Sequence, residues 1–172
     1  PEPNQPNYEQ MISRAIVYNS TPDVPAKSAI RISAGAEADF TDSNGHVWLA
    51  DRGFEGGDVV TRADDMKIEN TTDAGLYRTE HWGMNSFSQL LANGKYAVRL
   101  HFAETWEGII GPDGRVFSFN VEGRQFNDFD VWVKAGGPRR AYIETVNVDI
   151  DDGKLDITFT SGVDNPEING VE

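Results

Sequence analysis

The chain has 172 residues, no cysteine, and 28 acidic against 15 basic side chains, which gives a formal net charge of −13. This length suits one domain with a substantial core. The negative charge disfavours nucleic acid, anionic membranes and polyanionic ligands, and the lack of cysteine excludes disulfides, thiolate nucleophiles and thiolate metal sites. No apolar run reaches the length of a membrane span, and we expect a neutral partner.

The beginning of the chain differs in composition from the rest. Five of the eight prolines lie within the first 25 residues, around a short apolar stretch from Met11 to Tyr18. Segments with such closely spaced prolines are typical of linkers. We therefore predict a linker or docking arm over residues 1–27 and a folded domain over residues 28–172. A tail without a role is the alternative for the arm. The chain begins with Pro1 and has no basic segment followed by an apolar one, so any export signal is expected outside it.

From Ala29 onward, short apolar-alternating segments are separated by turn residues, which is typical of β-strands. The pattern is sharpest in Tyr96–Phe102, where every second residue is large and apolar. Asn93-Gly94 precedes this segment, and such a dipeptide favours a tight turn between paired strands. The sequence therefore predicts a hairpin within Leu76–Gly108.

The remaining segments complete an all-β pattern. We predict strands over Ala29–Ser33, Arg115–Val121, Phe126–Val133, Tyr142–Ile150 and Leu155–Phe159, and a polar loop over Gly162–Glu172. No stretch keeps an amphipathic helical period for three turns. The fold expected is a β-sandwich, jelly-roll-like, of roughly eight to ten short antiparallel strands.

Acidic residues permit two chemical hypotheses. Glu104 and Glu107 flank Trp106, so a glycosidase with two carboxylates can be imagined, but it would need one carboxyl buried enough to keep a raised pKa. The histidines are far apart and no nucleophile or phosphate-binding motif is present, so conventional catalysis and cofactors are not supported. Loop carboxylates could hold a structural calcium ion. The candidates for that ion are Asp39, Asp42, Asp51 and Asp58.

Three aromatic residues stand in polar, glycine-bordered stretches between the predicted strands. They are Phe54, Trp82 and Trp106. A flat apolar ring can lie against the C–H face of a sugar while nearby carboxylates or amides bind its hydroxyl groups. The alternative is that Trp82 and Trp106 cover the hydrophobic core, because large aromatic side chains also contribute to core packing.

A series of motifs resembles the malectin domain, which is also classed among carbohydrate-binding modules. These motifs are IRISAG, TDSNGHVWLADRGFEGG, LYRTEHWG, YAVRLHFAETW, RVFSFNVEGRQFNDFDV and GVDNP, in this order over Ile30–Glu172. The resemblance implies a β-sandwich without catalytic activity that binds glucose-containing oligosaccharides through clustered aromatic side chains and an aspartate. Bacterial members of that family are often accessory modules of secreted glycoside hydrolases.

The resemblance also implies site residues. Phe54 matches an aromatic position after the first glycine-rich loop, Trp82 matches the aromatic residue closing LYRTEHW, and Trp106 matches the first of two consecutive aromatic residues. Glu107 stands where the second aromatic residue would be, which removes one stacking surface and adds a hydrogen-bond acceptor. Asp164 matches the aspartate of the DNP motif; a carboxylate can accept two hydroxyl hydrogen bonds, and an Asx turn is the alternative.

These observations predict a non-catalytic module that binds neutral oligosaccharide or polysaccharide of glucose or galactose type. It would target a neighbouring glycoside hydrolase domain of the same chain to its substrate. The expected location is extracellular, cell-surface or periplasmic in a bacterium. The alternative function is a structural spacer without glycan binding.

Overall fold

A computed structural model of the chain describes residues 29–172, so the predicted arm lies outside the described residues. The described part contains a short helix, α1 (Val131–Ala135), a 3₁₀ turn (Ala74–Tyr77) and fourteen strands. The strands are β1 (Ile32–Ser33), β2 (Phe40–Thr41), β3 (Val47–Trp48), β4 (Phe54–Glu55), β5 (Asp58–Thr61), β6 (Thr79–Trp82), β7 (Ser86–Leu90), β8 (Gly94–Phe102), β9 (Val116–Val121), β10 (Arg124–Phe129), β11 (Tyr142–Ile150), β12 (Lys154–Val163), β13 (Glu167–Ile168) and β14 (Gly170–Val171). Residues 29–172 contain no helix with the length and hydropathy needed to cross a bilayer.

Two sheets form a sandwich. One has the strand order β1-β14-β8-β11 and the other β10-β9-β12-β7-β4, and neighbouring strands are antiparallel. Alternate side chains of both sheets meet in one core, where the rings of Phe102 and Phe119 lie 6.0 Å apart. The all-β sandwich prediction is confirmed. The strands outnumber the prediction because six of the fourteen have two residues.

The described residues also form two smaller sheets. One has the order β13-β6-β5, and the other pairs β2 with β3. Within the first, Trp82 at the end of β6 is opposite Glu167 of β13 and Asp58 of β5. This sheet therefore places a tryptophan beside the last segment of the chain.

The predicted hairpin around Asn93-Gly94 is wrong. β7 pairs with β12 and β4, whereas β8 pairs with β11 and β14, so the turn carries the chain from one sheet to the other. The turn is held by Asn93, whose Nδ2 donates to Asp151 O at 2.8 Å, and by Leu91, whose N–H donates to Gly153 O at 2.9 Å. Because the chain crosses between the sheets, the apolar faces of β7 and β8 meet across the core. A hairpin within one sheet would not allow this contact.

The prediction of one strand over Phe126–Val133 is half correct. β10 ends at Phe129, and Val131 and Val133 belong to α1. The reason is Asp130, which caps the helix by accepting a hydrogen bond from Val133 N at 3.1 Å. Such N-caps satisfy backbone donors at the start of a helix, and here the cap outweighs the β-preference of valine.

The predicted polar loop over Gly162–Glu172 is wrong over most of its length. β12 continues to Val163, and the last residues form β13 and the buried β14, which lies between β1 and β8. Asn169 is buried, and its Nδ2 donates to Thr79 O at 2.8 Å, whereas its Oδ1 has no hydrogen-bond partner among the described residues. A sequence pattern of polar residues does not reveal such partners.

Candidate functional site

A cavity of about 340 Å³ lies beside the sheet β13-β6-β5. Its lining residues are Val60, Arg62, Glu80, Trp82, Trp106, Arg115, Asp164 and Asn165. Trp82, Trp106 and Asp164 come from three separate parts of the chain, and the fold brings these three predicted residues to one cavity.

Trp82 is the last residue of β6, and 36% of its surface is exposed. The β-sheet fixes its backbone, and Gly57 approaches it so closely that a Cβ there would lie 2.2 Å from the Trp82 carbonyl oxygen. Gly57 also has a φ of 79°, which favours glycine. The ring is therefore presented from a constrained backbone.

Trp106 follows the buried residues at the end of β8, and 45% of its surface is exposed. The backbone N–H of Trp106 donates to Glu104 Oε1 at 3.0 Å. The ring lies over Gly108, where a Cβ would come within 2.4 Å of Trp106 Cζ2, and the guanidinium carbon of Arg115 is 5.9 Å from the ring centroid. Backbone, glycine and guanidinium together fix the position of this ring.

Asp164 lies in the left-handed region with a φ of 63°, a conformation that aspartate tolerates better than most residues. Its Oδ1 accepts a hydrogen bond from the N–H of Asn165 at 2.6 Å. Within residues 29–172 its Oδ2 has no hydrogen-bond partner. The carboxylate thus combines a local backbone contact with an oxygen available to a ligand.

A buried ion pair connects two sides of the cavity. Arg115 Nε donates to Glu104 Oε2 at 2.7 Å, and its Nη1 donates to Asn165 O at 2.7 Å. Because Glu104 also holds the Trp106 N–H, the Arg115 side chain ties the tryptophan segment to the Asp164-Asn165 segment. Burial raises the pKa of Glu104 above its ordinary value, and the adjacent Arg115 charge opposes that shift.

A second pair lies beside the first. Glu80 Oε2 accepts hydrogen bonds from Arg62 Nη2 at 3.1 Å and from Thr105 Oγ1 at 2.9 Å. Arg62 Nε also donates to Thr105 Oγ1 at 3.0 Å. Both guanidinium groups that line the cavity are therefore bonded to carboxylates of the protein.

Glu167 is the third carboxyl group of this cluster, and its surface is 0% exposed. Among the described residues neither of its carboxyl oxygens has a hydrogen-bond partner. Burial, followed by the charges of Glu80 and Glu104, raises the pKa of Glu167 well above its ordinary value. The cluster therefore favours the neutral form of Glu167 beside the ion pairs Arg62–Glu80 and Arg115–Glu104.

The other two predicted site residues are placed differently, and their roles in binding stay predictions. Phe54 in β4 is partly buried, with its ring centroid 4.5 Å from that of His81 and 4.8 Å from that of Phe87, and it does not line the cavity. The Glu107 side chain is 81% exposed and forms an ion pair with Arg139 at 2.8 Å.

The glycosidase hypothesis finds no support in the positions of its two carboxyl groups. Glu104 has the raised pKa that an acid catalyst needs, but it is fully buried beneath Trp106 and bonded to Arg115. Glu107 is paired with Arg139 at the surface. A general acid must reach the oxygen of the leaving group, and a carboxyl enclosed in this way does not.

Two of the carboxylates suggested as calcium ligands, those of Asp39 and Asp42, accept hydrogen bonds from nearby residues of the chain. Asp42 accepts hydrogen bonds from His46 N at 2.9 Å and Trp48 Nε1 at 3.0 Å, and Asp39 accepts one from Ala50 N at 2.7 Å. In the part of the chain described by the structure, no group of three or more histidine or acidic side chains is arranged to hold a metal ion. A calcium ion at these loops stays a prediction.

Sequence reasoning missed the two arginines that line the cavity, Arg62 and Arg115, and the buried Glu167. Arg62 and Arg115 stand in segments that look like ordinary polar surface, and Glu167 lies in the presumed loop. One signal was available for Arg115, since it directly precedes the alternating Phe117-Phe119 strand. Its bond to Glu104 joins residues 11 apart in the sequence across two sheets, which no local pattern reveals.

A β-sandwich with two half-exposed tryptophan rings and a carboxylate around one cavity has the features of a carbohydrate-binding domain. The family model of the Malectin domain matches residues 28–171. The chain therefore belongs to the Malectin domain family. Malectin domains are non-catalytic and bind carbohydrates, and a lectin-like role follows for this chain.

Relatives and solved structures agree with this fold. Kinesin-like protein KIN-14E of Oryza sativa subsp. japonica is 29% identical over 154 residues, which is 84% of this chain and 14% of that protein. Bacteroides uniformis beta-glucuronidase matches with a TM-score of 0.73 at 21% identity, over 83% of this chain and 17% of the enzyme chain. The extracellular domain of ANXUR2 from Arabidopsis thaliana matches with a TM-score of 0.71 at 19% identity, over 83% of this chain and 47% of that chain. The chain spans less than half of each of these proteins.

Proposed function

We propose that the domain binds neutral oligosaccharides of glucose or galactose type in the cavity between Trp82, Trp106 and Asp164. The observation that carries the proposal is the convergence of two half-exposed rings and a carboxylate on one cavity of about 340 Å³. The rings offer flat surfaces for the C–H faces of sugar units, and Asp164 Oδ2 accepts hydrogen bonds from their hydroxyl groups.

The charges around the cavity favour a neutral sugar over an acidic one. Arg62 and Arg115 are bonded to Glu80 and Glu104, so a sugar carboxylate would have to displace a buried ion pair to reach a guanidinium group. Asp164 adds a negative charge at the cavity, and the whole chain carries −13. A uronic acid is therefore repelled at long range, and among the described residues that line the cavity it finds no unpaired cation.

Phe54 and Glu107 have secondary roles in this proposal. Phe54 packs on His81, the residue before Trp82, and so supports the backbone that carries the ring. Glu107 lies directly after Trp106 and adds a hydrogen-bond acceptor for longer glycans once its carboxylate releases Arg139. The two tryptophans and Asp164 form the primary site.

In its natural setting, the domain would direct a neighbouring catalytic domain to a polysaccharide outside the cell. The similar part of the Bacteroides uniformis beta-glucuronidase chain gives one example of this fold within a glycosidase. A binding module attached to an enzyme raises the local substrate concentration, so a weak single site, with a Kd of about 10 µM to 1 mM, is sufficient. A structural spacer without glycan binding is the competing function.

A panel of immobilised glycans tests the proposal. It should contain neutral gluco- and galacto-oligosaccharides together with uronic acid oligosaccharides of the same length. We expect retention on at least one neutral series and none on the matched uronic acid series. Absence of binding across the neutral series would favour the spacer, and preferential binding of uronic acids would contradict the charge argument.

A further inference from the structure

A second cavity, of about 560 Å³, lies at the opposite end of the sandwich from the tryptophan cavity. It opens where the two sheets part. One wall is formed by β7 with Leu91 and Leu155, and the other by Ile30, Val171 and the β8 segment 95–99. The tryptophan cavity lies beyond the other end of β8, so the two cavities are separated along this strand. We call the second cavity the seam groove.

The seam groove is lined mainly by apolar side chains. At the rim, Leu90 is 79% exposed and Ile30 is 37% exposed, although Leu90 belongs to a strand of the main sandwich. At the floor are the buried side chains of Phe87, Val98 and Leu155, which belong to the core. A single exposed leucine is ordinary on a protein surface, but here it continues an apolar surface that leads into the core.

The charged groups at the rim are already paired. Lys95 Nζ lies 2.8 Å from Asp149 Oδ1, and Arg99 Nη1 lies 3.4 Å from Glu172 Oε2. The seam groove therefore offers mainly apolar contact, and an apolar stretch of chain suits it better than a sugar or an ionic ligand.

The sequence supplies such a stretch next to the seam groove. Ala29 lines the groove, so the 28 residues before it leave directly from its rim. Within them, the segment Met11–Tyr18 reads MISRAIVY, in which all residues except Ser13 and Arg14 are apolar. The ten residues 19–28 between this segment and Ala29 reach at most about 35 Å, whereas the five β8 residues of the groove extend about 13 Å.

We propose that the segment Met11–Tyr18 binds in the seam groove of its own domain. Attachment through a spacer of this length gives the segment an effective concentration of about millimolar, so it outcompetes a second copy of the chain at ordinary protein concentrations. Binding there covers Leu90 and Ile30, at the end of the sandwich opposite the tryptophan cavity.

Paramagnetic labelling tests the location of the segment in the intact chain. Because the chain has no cysteine, Ser13→Cys gives one site for a nitroxide within the segment and leaves its apolar side chains in place. We expect broadening of the methyl signals of Leu90, Leu91 and Ile30. The methyl signals of Val163, next to Asp164 at the other end, are the internal control and should stay sharp. Equal signals at Leu90 with the nitroxide oxidised and reduced would overturn the proposal.

A mixed sample separates binding within one chain from binding between two copies. In it, nitroxide-labelled chains without isotope are added to isotope-labelled chains without nitroxide. We expect no broadening at Leu90 in this sample. Broadening there would overturn binding in cis and assign the seam groove to a second copy of the chain.

A double-mutant cycle in the full chain gives an independent readout. On a bare surface Leu90→Asp would change stability little, but beneath an apolar segment it should lower the melting temperature by about 3 °C or more, as should Ile16→Asp. The two losses should not add, because each removes the same contact. Ser20→Asp in the spacer is the charge-matched control and should leave the melting temperature unchanged. Fully additive losses, or no loss from Leu90→Asp, would contradict the proposal.

Discussion

Gly108 permits the observed position of the Trp106 ring because it has no side chain to collide with it. A Cβ on this residue would lie 2.4 Å from Cζ2 of the tryptophan ring, a distance that forces the ring to move. We expect Gly108→Ala to weaken glycan binding at least about tenfold, or about 1.4 kcal/mol, because the stacking surface is displaced. Isothermal titration with the preferred neutral oligosaccharide measures the effect.

The neighbouring Gly111 provides the control for this change. A Cβ on Gly111 would meet no atom within 4 Å, so Gly111→Ala alters the same loop without touching the ring. It should bind glycan as the wild-type domain does. Equal losses in both variants would mean that loop flexibility, and not the position of Trp106, determines binding.

Glu167 should give the stability of the domain a dependence on pH. Its pKa in the folded state is raised well above the ordinary value of 4.5 by burial and by the charges of Glu80 and Glu104, so the fold favours the neutral carboxyl group. The stability that this group contributes is complete below the unfolded pKa. It is lost as the pH rises from there through the folded pKa.

Replacing this carboxyl group by an amide tests the assignment. Glu167→Gln keeps the size of the neutral group but cannot ionise, so its melting temperature should fall less between about pH 5 and about pH 8 than that of the wild type. Thermal unfolding followed by circular dichroism measures this difference. Glu37→Gln, at an exposed position, should behave as the wild type does. If the melting temperature of Glu167→Gln depended on pH as that of the wild type does, the titrating group would be a residue other than Glu167.

At the scale of secondary-structure elements, the last strand completes the sandwich although it has two residues. β14 lies between β1 and β8, and Val171 is 4% exposed in the main core. Val171→Ala removes two buried methyl groups and leaves space behind, which should lower the free energy of unfolding by about 2–3 kcal/mol. Denaturant unfolding measures the change.

Val163 offers the same substitution at a half-exposed position. It is 52% exposed near the end of β12, so Val163→Ala should change the free energy of unfolding by about 0.5 kcal/mol or less. If Val171→Ala were equally mild, β14 would not be an integral strand of the sheet.

The elements that the sequence predicts correctly are those with a strong two-residue period. The alternation in β8, β9, β11 and β12 is visible because one face of each strand is buried in the core. The errors arise where partners distant in the sequence decide the structure. Asn93-Gly94 favours a turn but not a particular strand pairing, Asp130 starts a helix within an apolar alternation, and the buried Asn169 donates a hydrogen bond to Thr79.

For the molecule as a whole, the predicted all-β sandwich and Malectin domain membership are confirmed, while the buried ion pairs beside the cavity were not predicted. Trp82, Trp106 and Asp164 were predicted from motifs, and the structure places them together. Arg62 and Arg115 were not, because a charged residue in a sequence is expected at the surface unless its partner is known. The buried cluster is a property of the folded chain.

The proposed function requires that the two exposed tryptophans serve a ligand and not the core. A titration of the wild type and of Trp106→Ala with the neutral oligosaccharide selected by the panel tests it, with thermal unfolding of the same samples as the companion readout. Because 45% of the Trp106 surface is exposed, truncation should raise Kd more than about tenfold while the melting temperature falls by less than about 3 °C. A large fall in the melting temperature with an unchanged Kd would contradict the account and show that Trp106 serves only to cover the core.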